Sequence, residues 1–207
     1  MKTIAVKGEL RTDLGKVANK TIRREGKVPA VLYGGDTVTH FATTSKDVRD
    51  LVYTGEFRIA EVEVDGKKEK AILKDVQFHP VTEEILHIDF LRLIDGHPVK
   101  VYVPLRFKGN AIGVRNGGKL IQTLRRVHIK TLPENMVSEL LADVSQLKMG
   151  QSLRVRDIEV DENTEILMSP SVPIVSVEIP RALRSAASAA AKEAKAGGGG
   201  TAEAAEE

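Results

Sequence analysis

The sequence predicts a mainly β protein with minor α. Two β-structured domains, residues 1–94 and 95–180, are expected to precede a flexible Ala/Gly-rich tail at 181–207. Three observations predict this. Hydrophobic residues make up 42% of the chain and aromatic ones only 4%, with no Trp, so Val, Ile and Leu must supply most of the buried surface. Val-rich usage favours strands. Short runs of alternating apolar and polar residues also recur along the chain, and turn-forming pairs such as Asp65-Gly66 and Asp95-Gly96 separate them.

In chain order, alternation marks a first strand from Thr3 to Leu10. Leu14 to Glu25 reads as a short helix stopped by Gly26, with Pro29 beyond. Val28 to Tyr33 reads as a strand that runs into the Gly34-Gly35-Asp36 turn, with Thr39 to Thr43 as its return. Ser45 is placed to N-cap a helix through Val52, because Val48, Leu51 and Val52 fall at i, i+3 and i+4. Ile59 to Val64 and Lys68 to Phe78 flank Asp65-Gly66, a strong hairpin signal, since Gly tolerates positive φ. A further strand is expected from Glu84 to Leu93, and Asp95-Gly96 with Pro98 forms a natural domain boundary.

The second domain opens with Val99, Val101, Val103, Leu105 and Phe107 on one strand face. It continues through runs at Leu120 to Leu132, Ser152 to Val160 and Ile174 to Ile179, and reads as an all-β sandwich or barrel. A turn of helix is expected within Leu140 to Leu147. After Pro180 the composition turns Ala-rich, then passes through Gly197 to Gly200 into an acidic end. Such a tail can form transient helix over Arg181 to Lys195 but has no apolar stripe with which to dock.

Composition excludes several kinds of chemistry. Without Cys there are no disulfides, thiolate metal sites or cysteine nucleophiles, which suits a reducing cytosol. No secretory pattern opens the chain and no apolar run approaches about 18 residues, so a soluble cytoplasmic protein with no membrane partner is expected. Net charge is only +2, but residues 1–30 hold eight basic residues against Glu9, Asp13 and Glu25. Clustering of that kind favours a polyanionic partner, with a solvated surface as the plainer alternative.

On the expected first helix, Lys16, Lys20 and Arg23 fall within an arc of about 60°, with Val17, Ala18 and Ile22 toward the other side. Arg11 and Lys27 extend the basic patch at either end. Tyr33 stands beside Gly34-Gly35, where missing side chains would let a base or backbone approach its ring. A buried ring with a satisfied hydroxyl is the structural alternative. His87 and Asp89 share one strand face while Ile88 and Phe90 point to the other. Neither a nucleophile nor a third ligand accompanies that pair, which therefore suits hydrogen bonding to RNA better than catalysis or a metal. Gly113 to Leu120 nearly matches a P-loop but lacks the Ser or Thr that ligates Mg²⁺ and the helix needed behind its glycines, so it reads as a flexible loop.

Taken together, Glu9-Leu10-Arg11, Gly15-Lys16-Val17-Ala18, Ile22-Arg23-Arg24, Val28 to Gly34 and His87-Ile88-Asp89-Phe90 resemble the bacterial large-subunit ribosomal protein family numbered twenty-five. Val103-Pro104-Leu105 and Gly109 to Gly118 resemble the second half of its long form, the general stress protein type. The resemblance implies an N-terminal β-barrel with short helices that binds the loop E region of 5S rRNA in the large ribosomal subunit. It implies no catalysis, cofactor, metal or small-molecule substrate. Carried over, the RNA contacts fall on Arg11, Lys16, Arg23, Tyr33, His87 and Asp89, with Lys20, Arg24 and Gln77 beside them. Lys20 and Thr21 stand where members often carry arginines. Two other classes stay open, a protein-protein adaptor built on the second β domain and a hydrolase using the His87/Asp89 face, and within the ribosome the second domain is expected to meet neighbouring ribosomal proteins.

Overall fold

The computed structural model describes residues 1–35, 37–160, 163–181 and 185. The predicted tail therefore lies outside the described residues except for Arg181 and Ser185.

Six strands close into a barrel: β1 (Thr3–Leu10), β2 (Lys27–Tyr33), β3 (Thr39–Thr44), β4 (Ile59–Val64), β5 (Lys67–Phe78) and β6 (Ile85–Arg92), in the order β1-β3-β2-β6-β5-β4. Closure comes from two parallel pairings, β1 with β4 and β2 with β6, while the other contacts are antiparallel. A closed barrel leaves no sheet edge to pair with other chains. Its interior holds the aliphatic residues that composition demanded, among them Val6, Ala30, Leu32, Val62 and Ile88, around Phe41 and Phe90, whose ring centroids lie 5.9 Å apart. Helix α2 (Ser45–Val52) adds Val48 and Leu51 to this core.

Helix α1 (Lys16–Arg24) buries no residue. Val17, expected on its packing side, is 80% exposed, and only Ala18, Asn19 and Ile22 are half-buried. Val17, Ala18 and Ile22 are its only apolar residues, too sparse a stripe to bury, so polar contacts described below help hold it. Ser45 is the first residue of α2 and not its cap: Thr44 holds the cap position, and its hydroxyl donates to Asp47 at 3.1 Å.

Beyond the barrel lie β7 (Val99–Lys108), β8 (Lys119–Gln122), β9 (Arg126–Thr131), β10 (Leu140–Asp143), β11 (Ser152–Arg154), β12 (Thr164–Ile166) and β13 (Pro173–Glu178), with a short helix α3 at Ile112–Arg115. They form a four-stranded sheet, β10-β7-β9-β12, and a three-stranded sheet, β11-β13-β8. By compactness, one unit comprises Met1–Arg106, Arg126–Leu141 and Glu159–Ser169, and the other Phe107–Arg125, Ala142–Ile158 and the described residues from Pro170.

Four expectations for this region are corrected. Leu140 to Leu147 starts as strand, because Leu140 and Ala142 are buried while Leu141 and Asp143 are exposed, a period of two that a helix cannot satisfy. The Leu120 to Leu132 run is two strands in different sheets, β8 and β9. After Arg154 the Ser152 to Val160 run turns into a 3-10 segment, Val155–Asp157, whose first turn is fixed by the Asp157 carboxylate accepting from the Arg154 amide at 2.9 Å. The glycine-rich stretch after Gly109 is packed and not a flexible loop: a Cβ on Gly113 would sit 2.6 Å from the Met149 backbone nitrogen. That glycine serves close chain packing, a use unrelated to phosphate.

Candidate nucleic-acid interface

Strands β2, β6 and β5 are neighbours in the barrel, and alternation turns His87 and Asp89 of β6 outward while Ile88 and Phe90 fill the core. The imidazole Nδ1 and Asp89 Oδ1 are 2.7 Å apart, with the two side chains 23% and 33% exposed. Asp89 thus fixes the ring orientation and leaves Nε2 for a ligand, in the way carboxylates orient imidazoles elsewhere. Across from His87 on β5 is the exposed Gln77, and Asp89 stands between Val31 of β2 and Asp75 of β5. These neighbours supply no nucleophile, and among the described residues no group of three or more His, Asp or Glu is arranged to hold a metal ion.

Tyr33 closes the row from β2. Burial first, and then the nearby carboxylates of Asp89 and Asp75, push its phenol pKa above the ordinary value of 10.0. The hydroxyl therefore stays protonated and able to donate at physiological pH. Gly34 and Gly35 do not clear space for a ligand, as the sequence suggested. Gly34 has φ +98° and a Cβ there would lie 2.6 Å from Leu91 Cδ1, so the glycine lets the end of β2 approach β6.

Arg23 joins the helix to this row. Its Nε and Nη2 donate to the Leu86 carbonyl at 3.1 and 2.9 Å. That carbonyl is available because the register between Gln77 and Phe78 shifts, leaving Leu86 as an extra residue opposite β5. Arg11 is half-buried and acts as a staple: Nη2 donates to Asn19 Oδ1 at 2.6 Å and to the Asp13 carbonyl at 3.2 Å. Its Nε is buried with no hydrogen-bond partner among the described residues. Lys16, Lys20 and Arg24 stay exposed on α1. Lys27 pairs with Glu9, which raises the Lys27 pKa.

The arrangement is a basic helix beside a polar row of acceptors and donors. It can hold phosphates along one line and read base edges or 2′-hydroxyls along the next, the division of labour expected of an RNA-binding surface.

A large ribosomal subunit protein bL25 of Cytophaga hutchinsonii is 40% identical over 193 residues, covering 93% of this chain and 100% of the relative. The profile of the Ribosomal L25p family matches residues 6–90. This chain belongs to the ribosomal L25p family. All nine residues singled out from the sequence lie inside the matched segment of that family. Residues 98–181 match the C-terminal domain of ribosomal protein TL5. Proteins named bL25 from Phocaeicola vulgatus and Porphyromonas gingivalis are 39% and 40% identical, covering 100% and 98% of the relatives and 93% and 90% of this chain.

Asp75 is the member of the row that sequence reasoning missed. A bulge at Lys74 shifts β5 by one residue, so that Leu73 and Val76 both pack against the core, while Asp75 and Gln77 turn outward. Unbroken alternation from Leu73 would have buried Asp75. The two adjacent polar residues, Lys74 and Asp75, were the only signal of it.

Proposed function

We propose that the protein is a non-catalytic structural component of the bacterial large ribosomal subunit that grips 5S rRNA, at its loop E region, through α1 and the outer face of β2, β6 and β5. The relatives are named large ribosomal subunit proteins, which supports ribosome association in the cytoplasm. The observation that carries the RNA reading is the His87–Asp89 pair at 2.7 Å with Arg23 anchored on the adjacent Leu86 carbonyl. Basic residues and shape-reading polar groups thereby share one surface.

Roles follow from position. Lys16, Lys20 and Arg24 hold phosphates; Tyr33, Gln77, His87 and Asp89 recognise the irregular duplex; Arg11 and Arg23 set the helix at the right place and add their charge. Residues 1–94 form the binding module and 95–180 a second β domain. No cofactor, metal or small-molecule substrate takes part. The test is to identify RNA that copurifies with the full chain: 5S rRNA in stoichiometric amount is expected, and RNA without 5S enrichment would sink the reading.

A further inference from the structure

The outer face of β7 and β9 carries chemistry that the barrel site does not use. Tyr102, 57% exposed, is stacked on His128 from the neighbouring strand, with ring centroids 4.5 Å apart and planes 16° from parallel. The two residues are direct cross-strand partners, flanked by Lys100 opposite Lys130 and by Pro104 opposite Arg126. The cross-strand stack on His128 contributes modestly to the sheet and orders the exposed Tyr102 ring in advance of any ligand. Burial, then Lys74 and Lys100, lower the His128 pKa, so a neutral ring supports the tyrosine.

Beside this stack lies a cleft of about 300 Å³, bordered by Tyr102, Lys100, Arg126 and Lys74. Lys74, the bulged residue of β5, is fixed there by donating to the Lys100 carbonyl at 3.0 Å. Lys74 and Lys100 also border a second cleft, which Tyr33 lines as well. Acidic residues here are already engaged: Glu139 with Arg106 at 3.5 Å, Glu165 with Lys130 at 3.3 Å, and Glu56, which lines the cleft, with Arg58 at 3.0 Å. Among the described residues Asp75 is the remaining carboxylate at the cleft.

We propose that this face is a second RNA-binding surface, taking a single-stranded or looped segment by stacking a base on Tyr102 while Lys74, Lys100 and Arg126 hold its phosphates. A pre-ordered aromatic ring beside a line of cations is the arrangement that single-stranded nucleic acid requires. An acidic protein segment would use the cations but not the ring. The proposal rests on the reading of the barrel as an rRNA-binding module and extends that module past Lys74 onto β7 and β9.

The test uses the full chain with two probes, an oligouridylate of about twelve nucleotides and the loop E duplex of 5S rRNA. Tyr102→Ala should weaken oligouridylate binding about tenfold, Tyr102→Phe should retain it, and Lys100→Gln with Arg126→Gln should flatten its salt dependence by roughly one to two ions. All of these variants should bind the loop E duplex within about twofold of the parent. Oligouridylate binding that is indifferent to Tyr102 and to Lys100 overturns the proposal, and so does displacement of the oligonucleotide by oligoglutamate at equal charge concentration, which assigns the face to an acidic protein. A parent chain that binds oligouridylate through Tyr102 but ignores the duplex overturns the barrel reading alone; one that binds neither probe overturns both.

Discussion

Asp89 repels phosphate, so an RNA-binding role for it must come from hydrogen bonding. Its carboxylate orients His87 and has acceptor capacity left for a base amino group or a 2′-hydroxyl. Asp89→Ala is therefore expected to weaken 5S rRNA binding by about 1 to 3 kcal/mol even though it makes the surface more positive; a titration showing a folded variant with higher affinity would contradict the role. The same carboxylate acts on Tyr33. Because the folded phenol pKa is raised by burial, Asp89 and Asp75, the unfolded chain ionises first. Stability associated with Tyr33 is fully present below 10.0, the unfolded value, and declines as pH rises through the folded one. Ultraviolet titration should find Tyr33 ionising above the ordinary value and moving down in Asp89→Asn. His87, Asp89 and Tyr33 were legible as a group because strand alternation alone puts the first two on one face. Asp75 was not, since its orientation depends on a bulge whose one trace in the sequence is the adjacent polar pair Lys74-Asp75.

Helix α1 illustrates how far an element can be read from its residues. Its basic face follows from the spacing of Lys16, Lys20 and Arg23, whereas its docking does not, since it buries nothing and rests on the Arg11–Asn19 and Arg23–Leu86 hydrogen bonds. Both bonds join groups far apart in local pattern, and the Leu86 carbonyl is free only through a register shift in β6. Arg23→Lys keeps the charge but loses the planar two-pronged contact. It should lower affinity several-fold while leaving the salt dependence unchanged, and amide exchange in α1 should quicken relative to β2 and β6. A flattened salt slope in that variant would instead make Arg23 a plain phosphate contact. The β4–β5 hairpin was legible from the alternation of β4, buried at every second residue, and from the Asp65-Gly66 turn that follows it. The later strands were less so: β8 and β9 are separated only by Thr123, Leu124 and Arg125, without a glycine or proline to mark the change of sheet.

At the scale of the molecule, the question is whether RNA recognition needs anything past the barrel. The barrel core is made entirely of residues between Ile4 and Phe90, and the last strand to close it, β6, ends at Arg92. Every residue assigned to the 5S site lies in that span, as do all six strands that close the barrel. A fragment of residues 1–94 should therefore fold, keep cooperative unfolding by circular dichroism, and bind the loop E duplex with nearly the full chain's affinity. It lacks Lys100, Tyr102, Arg126 and His128, so the same fragment should lose most of the affinity for single-stranded oligouridylate. Titrating both probes against both chains gives the decision. A folded fragment that binds the loop E duplex at least about tenfold more weakly, roughly 1.4 kcal/mol, would mean that residues beyond 94 contact that RNA directly. The division between a barrel that reads loop E and a sheet face that takes an adjoining strand would then be wrong.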